Sequence, residues 1–370
     1  MCHQGVIMLQ DRQHAHRHVR LDSGTGGSIF RWLALAAAAL ALSACDSNTA
    51  REIRVVGSST VYPFTTAVAE AFVNQGGDRK APVVESIGTG AGLKRFCDGV
   101  GWQYPDIANA SRRIKASEYR LCERNGVGEI MEVQIGIDGV ALAESNRGPR
   151  LALTKKDLYL ALAANPYGRP NAARTWADVN PALPAIPIQV MGPPSTSGTR
   201  DALVELVIEP GCAEADPQAR ALKAAAQTGP YENRCKRIRD DGPYIDKGEN
   251  DNLIVQGLAA NPNALGVFGY SYLEENMDRL HGVPIEGVAP SYATIAGGSY
   301  PGARPLFLYV KKRHLRAVPG LSDFLALYTG MWGPGGRLAK RGLIPAPDAV
   351  RAHSAQIVAQ RIALDPRGLH

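Results

Sequence analysis

The sequence lacks the features that mark membrane-spanning and nucleic-acid-binding proteins. Its longest uncharged apolar run, Trp32–Ala44, is shorter than the roughly 20 residues that a transmembrane helix needs. The 41 Lys and Arg residues are scattered among 35 Asp and Glu residues and form no basic run of the kind that binds nucleic acid. We therefore expect no segment that spans a membrane and no nucleic-acid partner.

Motifs of catalysis and of metal binding are also missing. There is no Gly-x-Ser-x-Gly motif, and the stretch Gly88–Lys94 lacks the Gly-Lys-Ser/Thr ending of a Walker A loop. No Cys-x-x-Cys spacing supports a zinc site. These absences argue against an enzyme, a metal site and a cofactor, and they leave a secreted phosphatase only as a distant alternative.

The composition that is present, 45% hydrophobic and 21% charged residues over 370 positions, is typical of a globular protein with two to three domain-sized units. From Ile53 onwards short apolar runs alternate with helical periods, which indicates an α/β architecture. The first helical period begins near Val61 and stops at Gly76-Gly77. The predicted strands are Ile53–Gly57, Val83–Ile87, Asp106–Ala110, Ile130–Glu144, Ile186–Gly192 and Ala264–Tyr272.

The N-terminal region has the organisation of a secretory signal. Arg31 precedes the apolar run, which ends in Leu42-Ser43-Ala44-Cys45. These four residues resemble a bacterial lipobox, in which Cys45 receives lipid and becomes the mature N-terminus. The resemblance predicts a signal peptide over residues 1–44, a tether over 45–52, and a periplasmic or cell-surface protein that contacts the membrane only through lipidated Cys45. An ordinary signal peptide that happens to contain a cysteine is the alternative.

Four cysteines follow Cys45, which is an even number in a chain expected in an oxidising compartment. Three pairings of these cysteines are possible. The two local pairs, Cys97 with Cys122 and Cys212 with Cys235, would each close a loop within one half of the chain. We predict these two disulfides, with free buried thiols as the alternative.

Turns rich in Ser, Thr and Gly follow several predicted strands. Ser58–Thr60, Gly88–Gly92 and Ser195–Arg200 each lead into a predicted helix, and Asn109–Arg113 adds a hydroxyl and two guanidinium groups. Backbone N–H groups at a helix N-terminus attract anions, and hydroxyl groups donate to an oxyanion. A single turn of this kind is more often a helix cap than a ligand site. Four of them predict a crevice for a small tetrahedral anion at the carboxyl ends of the strands.

These turns, in this order, resemble the phosphate-contact segments of the periplasmic phosphate-binding proteins of ABC importers. The resemblance implies a type II periplasmic-binding-protein fold, in which two α/β lobes joined by two hinge crossovers close on a central anion cleft. The two long apolar strands near Ile135 and Leu306 are the natural crossovers of such a chain, which predicts one lobe of residues 53–135 plus 302–370 and another of residues 136–301. The segments that carry the resemblance are Gly57–Phe64, Gly88–Gly92, Ala110–Arg112, Ser197–Arg200 and, for the return crossover, Tyr300–Leu306.

The resemblance assigns phosphate binding to residues on all four turns. Some family members have an arginine just before the Ser-Gly-Thr turn, but the stretch Gly192–Ser195 has none, so charge neutralisation falls to Arg112 or Arg200. Arg112 also stands where some members have an aspartate that accepts the phosphate proton, which predicts weaker rejection of sulfate. The assigned residues are Ser59, Thr60, Thr89, Ser111, Arg112, Ser197, Gly198, Thr199 and Arg200.

The function implied by the resemblance is that of a receptor. It would bind inorganic phosphate outside the cytoplasm and deliver it to the membrane permease of an ABC importer, as a monomer and without catalysis. Receptors for sulfate, molybdate or a phosphorylated small molecule are the alternatives.

Overall fold

The computed structural model describes residues 51–77, 79–248 and 250–369. The predicted signal peptide, Cys45 and most of the predicted tether therefore lie outside the described residues. Within the described ranges, no helix is both long and apolar enough to cross a membrane.

Nine strands of the described chain form one sheet in the order β2-β1-β3-β9-β4-β7-β5-β6, with β8 paired to β4. The predicted α/β class is confirmed. Two short strands, β6 and β8, were not predicted, because three-residue segments carry no periodic signal. The strands are β1 Arg54–Gly57, β2 Val83–Ser86, β3 Ile107–Ala110, β4 Ile130–Ser145, β5 Val190–Gly192, β6 Tyr244–Asp246, β7 Leu265–Gly269, β8 Leu280–Gly282 and β9 Ala303–Lys311.

Helices connect most of these strands. The first comprises Tyr62–Asn74 and matches the predicted helical period. The predicted strand Ala264–Tyr272 was too long, because the chain turns into a helix at Tyr270. A π-helical segment, Val204–Ile208, continues the helix that follows β5. The α-helices are α1 Tyr62–Asn74, α2 Thr89–Cys97, α3 Ala116–Arg124, α4 Lys155–Leu162, α5 Trp176–Val179, α6 Gly198–Leu203, α7 Glu209–Ala215, α8 Pro217–Ala224, α9 Thr228–Cys235, α10 Asp251–Ala260, α11 Tyr270–Glu274, α12 Tyr292–Ala296, α13 His314–Ala317, α14 Leu321–Met331 and α15 Asp348–Gln360.

The long strand β4 links two groups of strands. Its first half pairs antiparallel with β9, and its second half pairs antiparallel with β7. The β4–β9 register shifts between Gln134 and Gly136, so the strand is irregular where it passes from one group to the other. In one group β1 lies between β2 and β3 in parallel, and in the other β5 lies between β6 and β7 in parallel.

Buried hydrophobic side chains separate in the same way. One cluster draws on buried residues from Ile137 to Tyr300 and, among the described residues later in the chain, on Ile344. Two further clusters draw on residues from Ile53 to Ile135 and from Leu306 to Leu343. This distribution supports the predicted lobes, 53–135 plus 302–370 and 136–301, whose boundaries stay a prediction.

Both predicted local disulfides are present in the structure. Cys97 is bonded to Cys122, and Cys212 is bonded to Cys235. All four cysteines are buried. The first disulfide joins the last residue of α2 to α3, so it holds the helix whose first turn carries Thr89.

Candidate anion site

The turns after β1, β2 and β3 lie at one edge of the sheet. The three strands are parallel, so their carboxyl ends meet there. Gly57, at the end of β1, has a φ of 136°, and a Cβ at this position would overlap the carbonyl oxygen of Asn109 on β3. Glycine therefore lets the first and third turns approach each other closely.

The second and third turns are joined by their hydroxyl groups. The hydroxyl of Thr89, at the start of α2, lies 2.9 Å from that of Ser111 and accepts a hydrogen bond of 3.0 Å from the Ser111 backbone N–H. Ser111 is buried, and both residues line a cavity of about 930 Å³. Two of the predicted site residues are thus brought together at the N-terminus of a nine-residue helix.

Arg112 lines the same cavity but already has an acidic partner. Its two terminal nitrogens donate to the two carboxylate oxygens of Glu118 at 2.9 and 2.6 Å. These hydrogen bonds raise the pKa of the Arg112 guanidinium above its ordinary value. Glu118 holds the guanidinium in place, and its negative charge offsets the charge that Arg112 presents to the cavity.

The first and fourth turns contact each other directly. The Ser59 hydroxyl donates to the Asp201 carboxylate at 2.9 Å, and a Cβ at Gly198 would lie 3.5 Å from the Thr60 Cα. Ser197 caps α6 by accepting a hydrogen bond from the Thr199 N–H. A second cavity of about 230 Å³ is lined by the predicted residues Thr60, Ser197, Gly198 and Thr199.

A cation that the sequence analysis left out, Arg304, lies between the two cavities. Its side chain is 10% exposed and forms ion pairs with Asp138 and Glu205. It also donates a hydrogen bond of 2.9 Å to the Thr60 hydroxyl, and it lines the larger cavity. The available signal was an arginine at the start of strand β9, before the apolar run Pro305–Val310 and within the return crossover.

Asp138, which pairs with Arg304, and Asp201, which pairs with the first turn, both have raised pKa values. Burial raises the pKa of Asp138 above its ordinary value in spite of the nearby charge of Arg304. Burial likewise raises the pKa of Asp201, against the hydrogen bond from Ser59. The Asp138 oxygen that pairs with Arg304, 3.4 Å from its Nε, is buried and has no hydrogen bond of ordinary geometry. A carboxyl group with a raised pKa can carry a proton and donate it in a hydrogen bond to an anion.

Arg200 is directed elsewhere. Its guanidinium lies over the ring of Tyr244, 3.8 Å from the ring centroid, and donates to the Pro193 carbonyl oxygen. Arg200 does not belong to the lining of either cavity. It stays a predicted site residue, but the structure gives its charge an aromatic partner.

A long strand joins two groups of parallel strands, and hydroxyl-rich turns lie at the ends of strands in both groups. This arrangement defines a two-lobe α/β binding protein. Residues 43–330 match the profile of the PBP superfamily domain. The chain belongs to the family of periplasmic phosphate-binding proteins. Members of this family are extracytoplasmic substrate-binding receptors rather than enzymes.

Individual relatives cover most of the chain. Protein SphX of Synechococcus elongatus is 30% identical over 326 residues, which cover 85% of this chain and 84% of that protein. Phosphate-binding protein PstS of Staphylococcus saprophyticus is 30% identical over 303 residues, which cover 78% and 81%. The crystal structure of a possible phosphate-binding protein from Planctomyces limnophilus is similar, with a TM-score of 0.66, 29% identity and coverage of 84% and 98%.

Proposed function

We propose that the protein is an extracytoplasmic receptor that binds inorganic phosphate and delivers it to the permease of an ABC importer. One observation carries the proposal: Arg304 contacts the Thr60 hydroxyl and shares a cavity with Thr89 and Ser111, while the first turn also contacts the helix of the fourth turn through Ser59 and Asp201. The names of the relatives agree with this assignment, because PstS of Staphylococcus saprophyticus is a phosphate-binding protein.

The arrangement meets the physical requirements of a buried phosphate. Desolvating one or two negative charges is expensive unless hydrogen bonds and a countercharge replace water. Arg304 supplies the countercharge that the sequence analysis assigned to Arg112 or Arg200. Glu118 holds Arg112 beside the cavity. The proposed hydrogen-bond donors are the hydroxyl and N–H groups of the four turns, at Ser59, Thr60, Thr89, Ser111, Ser197, Gly198 and Thr199.

The direct experiment uses the purified chain from Cys45 onwards. The protein is unfolded, the phosphate it releases is measured, and the refolded protein is titrated with phosphate by calorimetry. We expect close to one phosphate per chain and no release of phosphate from an ester. Turnover of a phosphate ester would favour the phosphatase alternative, and the absence of any phosphate binding would contradict the proposal.

A receptor for a phosphorylated small molecule is the second candidate. The observation that favours it is the volume of the larger cavity, about 930 Å³, which lies at the upper end of the range of small-molecule sites. Titration with sulfate, molybdate and a sugar phosphate beside phosphate distinguishes the candidates. Tighter binding of the sugar phosphate than of phosphate would establish the second one.

The proposal includes a lipid anchor and a monomeric state. A signal peptide over residues 1–44 and lipidation of Cys45 would hold the receptor at the membrane through the tether 45–52. Stable attachment would then depend on the acyl chains. Cys45→Ala should move the protein from the detergent phase to the aqueous phase, and unchanged partition would contradict the lipidation. Light scattering of the soluble form should give the mass of one chain.

A further inference from the structure

Glu205 differs from the other partners of Arg304 in its exposure. It lies in the π-helical segment Val204–Ile208, and its side chain is 51% exposed. The partners Thr60 and Asp138 are much less accessible, with Thr60 at 6% and the Asp138 side chain at 17%. Arg304 is therefore held by two enclosed groups and by one carboxylate that reaches it from solvent.

The position of Glu205 is also the position from which a ligand would approach. Glu205 and Arg304 line the larger cavity together with Thr89, Ser111 and Arg112. Thr60 and Asp138 line the smaller cavity and do not belong to the lining of the larger one. An anion that enters the larger cavity thus meets Arg304 on the side where Glu205 is bound.

We propose that Glu205 is a built-in competitor of the anion, whose carboxylate occupies Arg304 in the empty site and is displaced when the ligand binds. The inference rests on the proposed function and adds a residue that sets the affinity of the site. Displacement is feasible because a half-exposed carboxylate regains its hydration when it leaves, so its ion pair contributes little net stability. An oxyanion that replaces Glu205 exchanges one negative charge beside Arg304 for another. An oxyanion that bound while Glu205 stayed in place would be repelled by the Glu205 carboxylate.

The central variant is Glu205→Gln, which removes the charge and keeps the shape of the side chain. It should bind phosphate roughly tenfold more tightly than the parent, because an exposed ion pair and the like-charge repulsion together amount to about one factor of ten. Glu205→Asp keeps the charge but shortens the side chain by one methylene. It should also bind more tightly than the parent, because the shorter side chain loses its contact with Arg304. Binding equal to that of the parent would mean that only long-range charge matters and would overturn the inference.

Glu232 offers a matched control. It lines the same cavity, its side chain is also 51% exposed, and it pairs with Lys236 instead of Arg304. Glu232→Gln makes the same change in net charge as Glu205→Gln. Because Glu232 does not pair with Arg304, this variant should change phosphate affinity less than twofold. Thermal unfolding of each ligand-free variant establishes that it folds as the parent does.

Calorimetric titration of the refolded parent and variants with inorganic phosphate at one pH separates the outcomes. Tighter binding by Glu205→Gln alone supports the inference, as does binding by this variant when the parent binds too weakly to measure. Equal tightening in Glu232→Gln, or unchanged or weaker binding in Glu205→Gln, overturns the inference and leaves the proposed function in place. Absence of phosphate binding in the parent and every variant overturns both.

Discussion

At the scale of single residues, the neighbours of each arginine distinguish its role. Arg112 and Arg200 are the countercharges expected from the sequence; Arg112 is bound to Glu118, and Arg200 lies over Tyr244. Arg304 also has carboxylate partners, but it additionally donates to a turn hydroxyl, that of Thr60. The bond between Arg304 and Thr60 joins residues 244 positions apart in the chain. No local pattern encodes such a separation, so the sequence predicts the hydroxyl turns as contacts but does not single out Arg304.

Arg304→Ala should weaken phosphate binding by about 3 kcal/mol, because removing one partner of a desolvated charge pair leaves the other uncompensated. Thr89→Ala should cost about 1 kcal/mol, the usual contribution of a neutral hydrogen bond. Arg200→Ala is the matched control and should have a smaller effect than Arg304→Ala, since the Arg200 guanidinium lies over Tyr244. Calorimetry measures all three. A larger loss in Arg200→Ala than in Arg304→Ala would restore the assignment made from the sequence.

Asp138 allows a prediction about pH. Burial raises its pKa in the folded protein, so the folded state holds this proton to higher pH than the unfolded state does. As pH rises from the ordinary titration range of aspartate through the raised pKa, the free energy of unfolding should fall. Asp138→Asn lacks this effect and should therefore gain stability relative to the parent as pH rises. Denaturant titrations of both proteins at several pH values measure the difference. A stability difference that is independent of pH would contradict the raised pKa.

At the scale of helices and strands, the strands of four or more residues were largely predictable and the three-residue strands β6 and β8 were not. The strands β1 to β4 and the helix α1 follow from apolar runs and helical periods, and their predicted ends differ from the structure by a residue or two. The predicted strand Ile186–Gly192 shortens to Val190–Gly192, and β6 pairs beside it without any sequence signal. Contacts with the rest of the sheet decide these segments, as tertiary context does for most short strands.

The two disulfides should differ in their effect on binding. Cys97 ends the helix α2 that begins at Thr89, whereas Cys212 and Cys235 join α7 to α9. Replacing either pair by alanine should lower the free energy of unfolding by about 3 kcal/mol, the typical contribution of a native disulfide. Loss of the Cys97–Cys122 pair should also weaken phosphate binding, because α2 then moves more freely. Denaturant titration and calorimetry test both effects. Equal losses of affinity in the two variants would contradict a specific link between α2 and the site.

At the scale of the whole molecule, the fold class follows from few observations and the geometry of closure does not. The alternation of short apolar runs with helical periods indicated α/β lobes. The buried hydrophobic clusters, one from the middle of the chain and two from its beginning and end, agree with that division. How closely the turns of the two strand groups approach each other depends on packing across the cleft. The distances at Ser59, Thr60 and Gly198 come from the structure alone.

Gly198 provides a test of closure for the whole molecule. Its backbone does not need glycine, since its φ lies outside the left-handed region, and an added Cβ would be in ordinary contact with Thr60 at 3.5 Å. Gly198→Ala should therefore keep phosphate binding nearly unchanged. Gly198→Leu adds a branched side chain against the Ser59-Thr60 turn and should hold the two lobes apart, because closing them against it would cost about 1 to 3 kcal/mol, the usual range for overpacking. We expect Gly198→Leu to unfold at a temperature close to that of the parent but to bind phosphate much more weakly. Small-angle X-ray scattering should show no decrease in its radius of gyration when phosphate is added. Phosphate binding by Gly198→Leu as tight as that of the parent would show that closure of these two turns is not required for the ligand to bind.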